Sequence, residues 1–240
     1  MVNVCVLQCD NRPSLDYLLK TQAVNKMFCE YLGYNYLFVE MNNCNLLNIH
    51  PATQKIFIVN EFLKNNPNCD ILVFLDSDAW IQDPNSLNII INNLITNEQK
   101  HGCFSRDISV VHHTYINSGA FIIKNNNYIK EMYNYLETEV CHDSSHHNVW
   151  PFDQYYISEY VYQNKEKFII FNVEVMNTPV GNVLRHNWAK DVRMYNDLNK
   201  LIENGKNFES VDNLNFNVND NIDSTVFPNV NNEGYNYFKI

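Results

Sequence analysis

None of the seven cysteines pairs with another as CxxC. They stand at Cys5, Cys9, Cys29, Cys44, Cys69, Cys103 and Cys141, mostly within or beside apolar segments. That pattern reads as scattered free thiols and excludes a zinc knuckle or a disulfide framework. Positive charge is also short. Lys and Arg number 17 against 27 Asp and Glu, a formal charge of −10, which argues against a surface devoted to nucleic acid or anionic lipid while allowing a local basic pocket. No apolar run approaches the length that spans a bilayer, and the opening residues do not read as a signal peptide. No N-x-[ST] sequon occurs despite the abundance of asparagine. These absences lead to the expectation of a cytoplasmic chain without a transmembrane segment. Glycine and proline are few, and the asparagines sit inside patterned segments rather than in one tract, which disfavours a prion-like reading.

What is present is an alternation of strands and helices, with 45% hydrophobic residues, enough for a sizeable core. "VNVCVLQ" (2–8) reads as a first strand ending in the polar cluster "CDNRP", after which Pro13 opens a helix. Leu15, Leu18, Leu19, Met27, Phe28, Tyr31 and Leu32 approximate its apolar face, and Gly33 closes it. "YNYLFVE" (34–40) is a second strand, completing a strand–helix–strand unit. A second helix starts near Pro51, and "ILVFL" (71–75) is a third strand. "ISVVH" (108–112) and "GAFIIK" (119–124) read as strands, and "NNYIKEMYNYLET" (126–138) and "FDQYYISEYVYQN" (152–164) as helices. "KFIIFNVEV" (167–175) and "VGNVLRH" (180–186) close the patterned region. The expected fold class is α/β, with a mixed, mostly parallel sheet flanked by helices. Residues 1–204 form the expected domain, and 205–240 an Asn/Asp-rich extension packed on it or partly mobile.

Chemistry concentrates in "CDILVFLDSDAWIQDP" (69–84). Five apolar residues, Ile71 to Leu75, run into Asp76 and Asp78. Carboxylates at the end of a buried strand are costly unless a cation or hydrogen-bond donors compensate them. On an extended segment residues i and i+2 point the same way, so both acids can approach one ion; the plain alternative is an acidic strand end facing water. Oxygen ligands suit Mg²⁺ or Mn²⁺, and an added imidazole tilts the choice to Mn²⁺. Of eight histidines, His186 is best placed, at a strand end. His112–His113 and His146–His147 are adjacent pairs, expected to point in opposite directions on an extended chain and to lie in loops or at the surface. Lys190 and Lys55 suit a diphosphate or, equally, solvent. Asn117, Ser118 and Gly119 offer either an ordinary turn or a close backbone approach for a sugar. Asp153 and Gln154 open a helix, where an aspartate serves as a cap or first-turn residue.

The order of "KTQAVNKMFCEYLGYNYLFVE", "LVFLDSDAWIQDP", "YINSGAFIIKNNNYIKEMYNYL", "WPFDQYYISEYV" and "VLRHNWAKD" resembles the GMA12/MNN10-type galactosyl-, mannosyl- and xylosyltransferases over roughly residues 2–191. The resemblance implies a GT-A-type nucleotide-sugar-binding fold and a retaining transfer from a nucleoside diphosphate sugar, UDP ahead of GDP, to a glycan or glycoconjugate acceptor. It implies Mn²⁺ (or Mg²⁺) held by Asp76, Asp78 and His186, and an acid–glutamine pair, Asp153 and Gln154, beside the anomeric carbon. Asp10, Asn11, Arg12, Lys55, Ser77, Asn117, Ser118, Gly119 and Lys190 become donor-binding residues on the same ground. The eukaryotic members carry a Golgi membrane anchor, which is not evident here. Two alternatives stay open. A haloacid-dehalogenase phosphatase also ends a strand in D-x-D, but on its first strand and with Thr or Val where Trp80 stands here. A sugar-nucleotide or glycan-binding protein that has lost turnover fits the same residues. A nucleotidyltransferase is disfavoured, since no glycine-rich basic loop follows the first strand.

Overall fold

The computed structural model describes residues 2–41, 49–108, 111–188, 191–205 and 216–223. In chain order the elements are β1 (Val4–Asp10), α1 (Asp16–Leu32), β2 (Asn35–Glu40), α2 (Pro51–Asn65), β3 (Ile71–Leu75), β4 (Ala79–Ile81), α3 (Pro84–Thr96) and β5 (Gly102–Arg106). There follow β6 (Ile116–Lys124), α4 (Asn127–His142), α5 (Asp153–Gln163), β7 (Phe168–Phe171), α6 (Val173–Met176), β8 (Leu184–His186) and α7 (Met194–Asn204). Six strands form one sheet in the order β2-β1-β3-β6-β5-β7, while β4 and β8 pair as a separate two-stranded sheet. β6 runs antiparallel to both its neighbours and the other central pairings are parallel.

The five-residue apolar run of β3 has a simple cause: both faces of the sheet are covered. Leu72 and Phe74 join Leu7, Phe104 and Phe121 in a core under α2, α4 and α5. Ile71, Val73 and Leu75 join Val6 and Ile122 in a second core with α1, α3, α7 and the small sheet. Each large apolar side chain so buried contributes about 1.5–3 kcal/mol.

Several expectations shift. The first helix starts at Asp16 rather than Pro13, although Gly33 does close it, at φ 69. Leu19 and Tyr31 are exposed; the buried face is Leu18, Thr21, Val24, Asn25, Phe28 and Cys29. Two polar residues on that face blur the apolar period. Of "ISVVH", Ser109 and Val110 lie outside the described residues, and the described ones are not strand: Ile108 is exposed and a 3-10 turn begins at His112. The strand falls earlier, on Gly102–Arg106, because pairing with β6 and β7 outweighs local β-propensity. "KFIIFNVEV" divides into β7 and the short α6, and only Leu184–His186 of "VGNVLRH" is strand. The helix α3 carries an Asp83 cap, whose carboxylate accepts from the Asn85 and Ser86 amides at 3.0 and 3.2 Å.

Of the C-terminal extension, residues 216–223 lie against β7: Phe171 bridges Ile222, and the Asp223 amide donates to the Ile170 carbonyl at 2.8 Å. The rest of that extension lies outside the described residues. The six described cysteines are free thiols. Among the described residues no helix is long and apolar enough to cross a membrane.

Candidate active site

The carboxyl ends of β1 and β3, the start of β6 and the first turn of α5 meet at one edge of the sheet, where open α/β sheets bind ligands. Asp76 and Asp78 do lie there, but not on an extended segment. The Ala79 amide donates to the Asp76 carbonyl at 2.9 Å, so the D-x-D is a tight turn between β3 and β4. A buried polar scaffold fixes that turn. Gln8 donates to the Asp76 carbonyl at 2.9 Å, Thr21 to the Ser77 carbonyl at 2.8 Å and Asn25 to the Ala79 carbonyl at 3.2 Å. The same Asn25 accepts from the Ile81 amide at 2.9 Å.

His186 arrives from far along the chain through the small sheet, where it pairs with Ala79. Its Nε2 lies 3.3 Å from Asp78 Oδ1 and 3.6 Å from Asp76 Oδ2. The donor atoms of all three residues lie within 4.8 Å of one another. The imidazole's other nitrogen, Nδ1, is 2.9 Å from Asn117 Oδ1, and that oxygen also accepts from the Gly119 amide at 2.9 Å. A backbone amide only donates, so the Asn117 oxygen is oriented, and His186 must carry its proton on Nδ1. The neutral ring therefore turns a bare lone pair on Nε2 toward two carboxylates. Only positive charge makes that arrangement favourable. A proton on Nε2 is one source of it: burial lowers the His186 pKa, but the charges of Asp78 and Asp76 raise it above its ordinary value. Burial likewise pushes Asp78 up, and the facing imidazole holds it below the usual carboxylate range. Two carboxylate oxygens and one oriented imidazole nitrogen also fit Mn²⁺, with the Asn117 contact fixing the ring as outer partners of metal ligands do.

That contact is one link of a longer chain. Asn117 Nδ2 lies 3.3 Å from both Gln154 Oε1 and Asp107 Oδ2, and Gln154 Nε2 donates to the same Asp107 oxygen at 2.6 Å. Asp107, Gln154, Asn117 and His186 thus form a continuous hydrogen-bonded line. The amide of Gln154 is engaged at both ends.

Lys55 is buried at the same edge and not in solvent. Its ammonium, buried on α2, lies 2.8 and 3.1 Å from the two oxygens of Asp76 and 3.0 Å from Asp153 Oδ2. The contact with Asp153 is an ion pair without hydrogen-bond alignment. Asp153 is 3% exposed. Burial pushes its carboxyl up to about 6, against the pull of Lys55 and of the Ser118 hydroxyl. It is the acidic residue of the first turn of α5 and not its side-chain cap: the residue before it is Phe152, at φ 56 and stacked on His50 with centroids 4.1 Å apart. On the other side of the acids, Arg12 grips Asp10 with Nε at 3.0 Å and Nη2 at 3.1 Å. Burial raises Asp10, while Arg12 and the Ser77 hydroxyl bring it below its usual value. Asn11 is exposed at the bend between them. Lys190 lies outside the described residues.

Residues 2–197 match the galactosyl transferase GMA12/MNN10 family. The chain belongs to that family. A crystal structure of a glycosyltransferase involved in glycosylation of the major capsid of PBCV-1 superimposes with a TM-score of 0.63 at 16% identity, covering 81% of this chain and 98% of that one. The shared fold is the GT-A glycosyltransferase type. Mouse xyloside xylosyltransferase 1 in its apo form (TM-score 0.46, 10% identity, 72% of this chain and 85% of that one) and GlyE of Streptococcus pneumoniae TIGR4 (0.48, 12%, 85% and 64%) are more distant. No curated protein matches the sequence significantly.

In this GMA12/MNN10 glycosyltransferase, the residues singled out from sequence and described here gather at one edge. Gln8, Thr21, Asn25 and Asp107 were not among them, because each is a common polar residue whose partner lies far away in sequence. Gly119 keeps its need for a bare backbone, for a reason of its own: an added Cβ would overlap the His186 imidazole. Gly119→Ala should therefore displace the ring and weaken Mn²⁺ binding by about 10–100-fold, the range for losing outer support of a metal ligand. Unchanged affinity in a Mn²⁺ titration would show that the ring does not need this space.

Proposed function

We propose that this glycosyltransferase moves a hexose or pentose from a nucleoside diphosphate sugar, a UDP-sugar ahead of a GDP-sugar, to a glycan acceptor with retention at the anomeric carbon. Residues 1–204 would carry the reaction, with 205–240 as an extension. The observation that carries the reading is the convergence of Asp76, Asp78 and the Asn117-oriented His186 at the ligand-binding edge. Those three residues would hold Mn²⁺, which when bound offsets negative charge on a leaving diphosphate without proton transfer. Asp10 and Arg12, already locked together, present a flat polar face suited to ribose and base, with Asn11 and Ser77 beside them. Lys190 answers the diphosphate charge. Lys55 holds Asp76 and Asp153 at a fixed spacing. Asp153, supported by Ser118, faces positive charge that builds at the sugar, as carboxylates do in glycoside hydrolysis.

A thermal-shift and hydrolysis screen of UDP- and GDP-sugars, each with Mn²⁺ and with EDTA, tests this. One sugar nucleotide should stabilise the protein only with Mn²⁺, by about 2.7 kcal/mol at a hundredfold excess over Kd, and slowly release free sugar. Stabilisation that persists in EDTA removes the metal from the reading. Binding without any turnover returns the chain to a sugar-nucleotide-binding role.

A further inference from the structure

Away from the catalytic edge, three metal-type donors stand together. His112 and His113 occupy the 3-10 turn at residues 112–114, between β5 and β6, and Glu159 faces them from α5. Nδ1 of His112 is 2.5 Å, and Nδ1 of His113 2.6 Å, from the same oxygen, Glu159 Oε1. Adjacent residues on an extended chain would diverge; the tight turn instead brings both rings to one side, with centroids 4.0 Å apart. Aromatic walls from α5 hold them: His112 packs on Tyr162 at 5.8 Å and His113 on Tyr155 at 5.5 Å. The three side chains are 34%, 21% and 24% exposed, so one face of the cluster meets solvent.

We propose that His112, His113 and Glu159 form a second divalent-metal site, of the zinc class and separate from the Asp76–Asp78–His186 centre. Two imidazole nitrogens and one carboxylate oxygen select Zn²⁺ or Co²⁺ over Mg²⁺ and Ca²⁺, which prefer all-oxygen shells. Three protein ligands leave the fourth position of a tetrahedral ion to water. In the metal-free form the Glu159 oxygen can accept from each Nδ1 that carries a proton; on binding, each such proton would reside on Nε2, leaving the Nδ1 lone pair for the ion. Metal–ligand bonds of about 2.0–2.2 Å require the donors to stand roughly 3.3 Å apart. The two His–Glu159 separations would have to open by under about 1 Å from their 2.5 and 2.6 Å. The ion would staple the 3-10 turn that precedes β6 to the helix that begins at Asp153 and Gln154. Its role is bracing, and it needs no glycosyl donor.

The test uses the chelated His186→Ala protein, in which the first site is crippled. Calorimetric titration should give one equivalent of bound Zn²⁺, and Co²⁺ should develop the visible d–d band of a four-coordinate ion. Adding His112→Ala and His113→Ala should remove both signals. Glu159→Gln, close in shape to the parent, should weaken zinc binding at least tenfold with an unchanged circular dichroism spectrum, which decides the matter if the histidine variant fails to fold. Absence of zinc uptake in His186→Ala, or uptake unaltered by Glu159→Gln, overturns the site. Neither result bears on the Mn²⁺-dependent donor screen, so the two readings fail separately.

Discussion

Replacing Lys55 with methionine should cost about 3–5 kcal/mol of folding stability in metal-free protein, the range for stripping one partner from a buried ion pair. Lys55 is 7% exposed and Asp153 3%. Its ammonium is the cation in contact with both Asp76 and Asp153. Methionine matches the chain length but leaves Asp153 buried beside another carboxylate, with no charge to offset desolvation. Lys55→Arg should retain part of the pairing and lose less. Denaturant unfolding in EDTA measures both. A lysine that served only a donor phosphate would leave stability unchanged and lower nucleotide affinity instead, so the two roles give opposite patterns.

The second large effect separates two neighbours. Asp153→Asn should reduce transfer by about two to three orders of magnitude, typical of losing one group that stabilises developing charge. Nucleoside diphosphate affinity should stay near that of the parent, because the change acts on the transition state and not on ground-state binding. Gln154→Ala should behave differently. Its amide bridges Asp107 and Asn117, and Asn117 orients His186, so its loss should weaken Mn²⁺ and nucleotide binding along with turnover. Steady-state kinetics with nucleotide titrations on both variants distinguish them. Near-normal turnover in Asp153→Asn, with a lowered melting temperature, would reduce Asp153 to a partner of Lys55.

The strands that frame the site were legible because each is apolar and ends in polar residues. β1, β2 and β3 fall within two residues of their expected positions. The acids after β3 stood out because carboxylates rarely follow a run buried on both sides. His186 was legible as a strand end, although the strand is only three residues long and belongs to another sheet. What the sequence hid has one physical character: it depends on contacts made across the fold. Thr21 and Asn25 read as breaks in a helical face, yet they fasten the D-x-D turn. Asp107 reads as a loop acid, yet it anchors Gln154 and Asn117. His112 and His113 would point apart on an extended backbone, and the 3-10 turn instead brings both rings to one side.

The pairing of β4 with β8 carries a consequence for biosynthesis. Ala79 meets His186 across about half of the domain's length, and such distant closure should come late because its entropy must be met before any contact rewards it. A ribosome-bound chain that has not yet exposed Leu184–His186 holds both acids but lacks His186. On the proposed reading of these three residues as manganese ligands, capture of the ion would require the completed architecture.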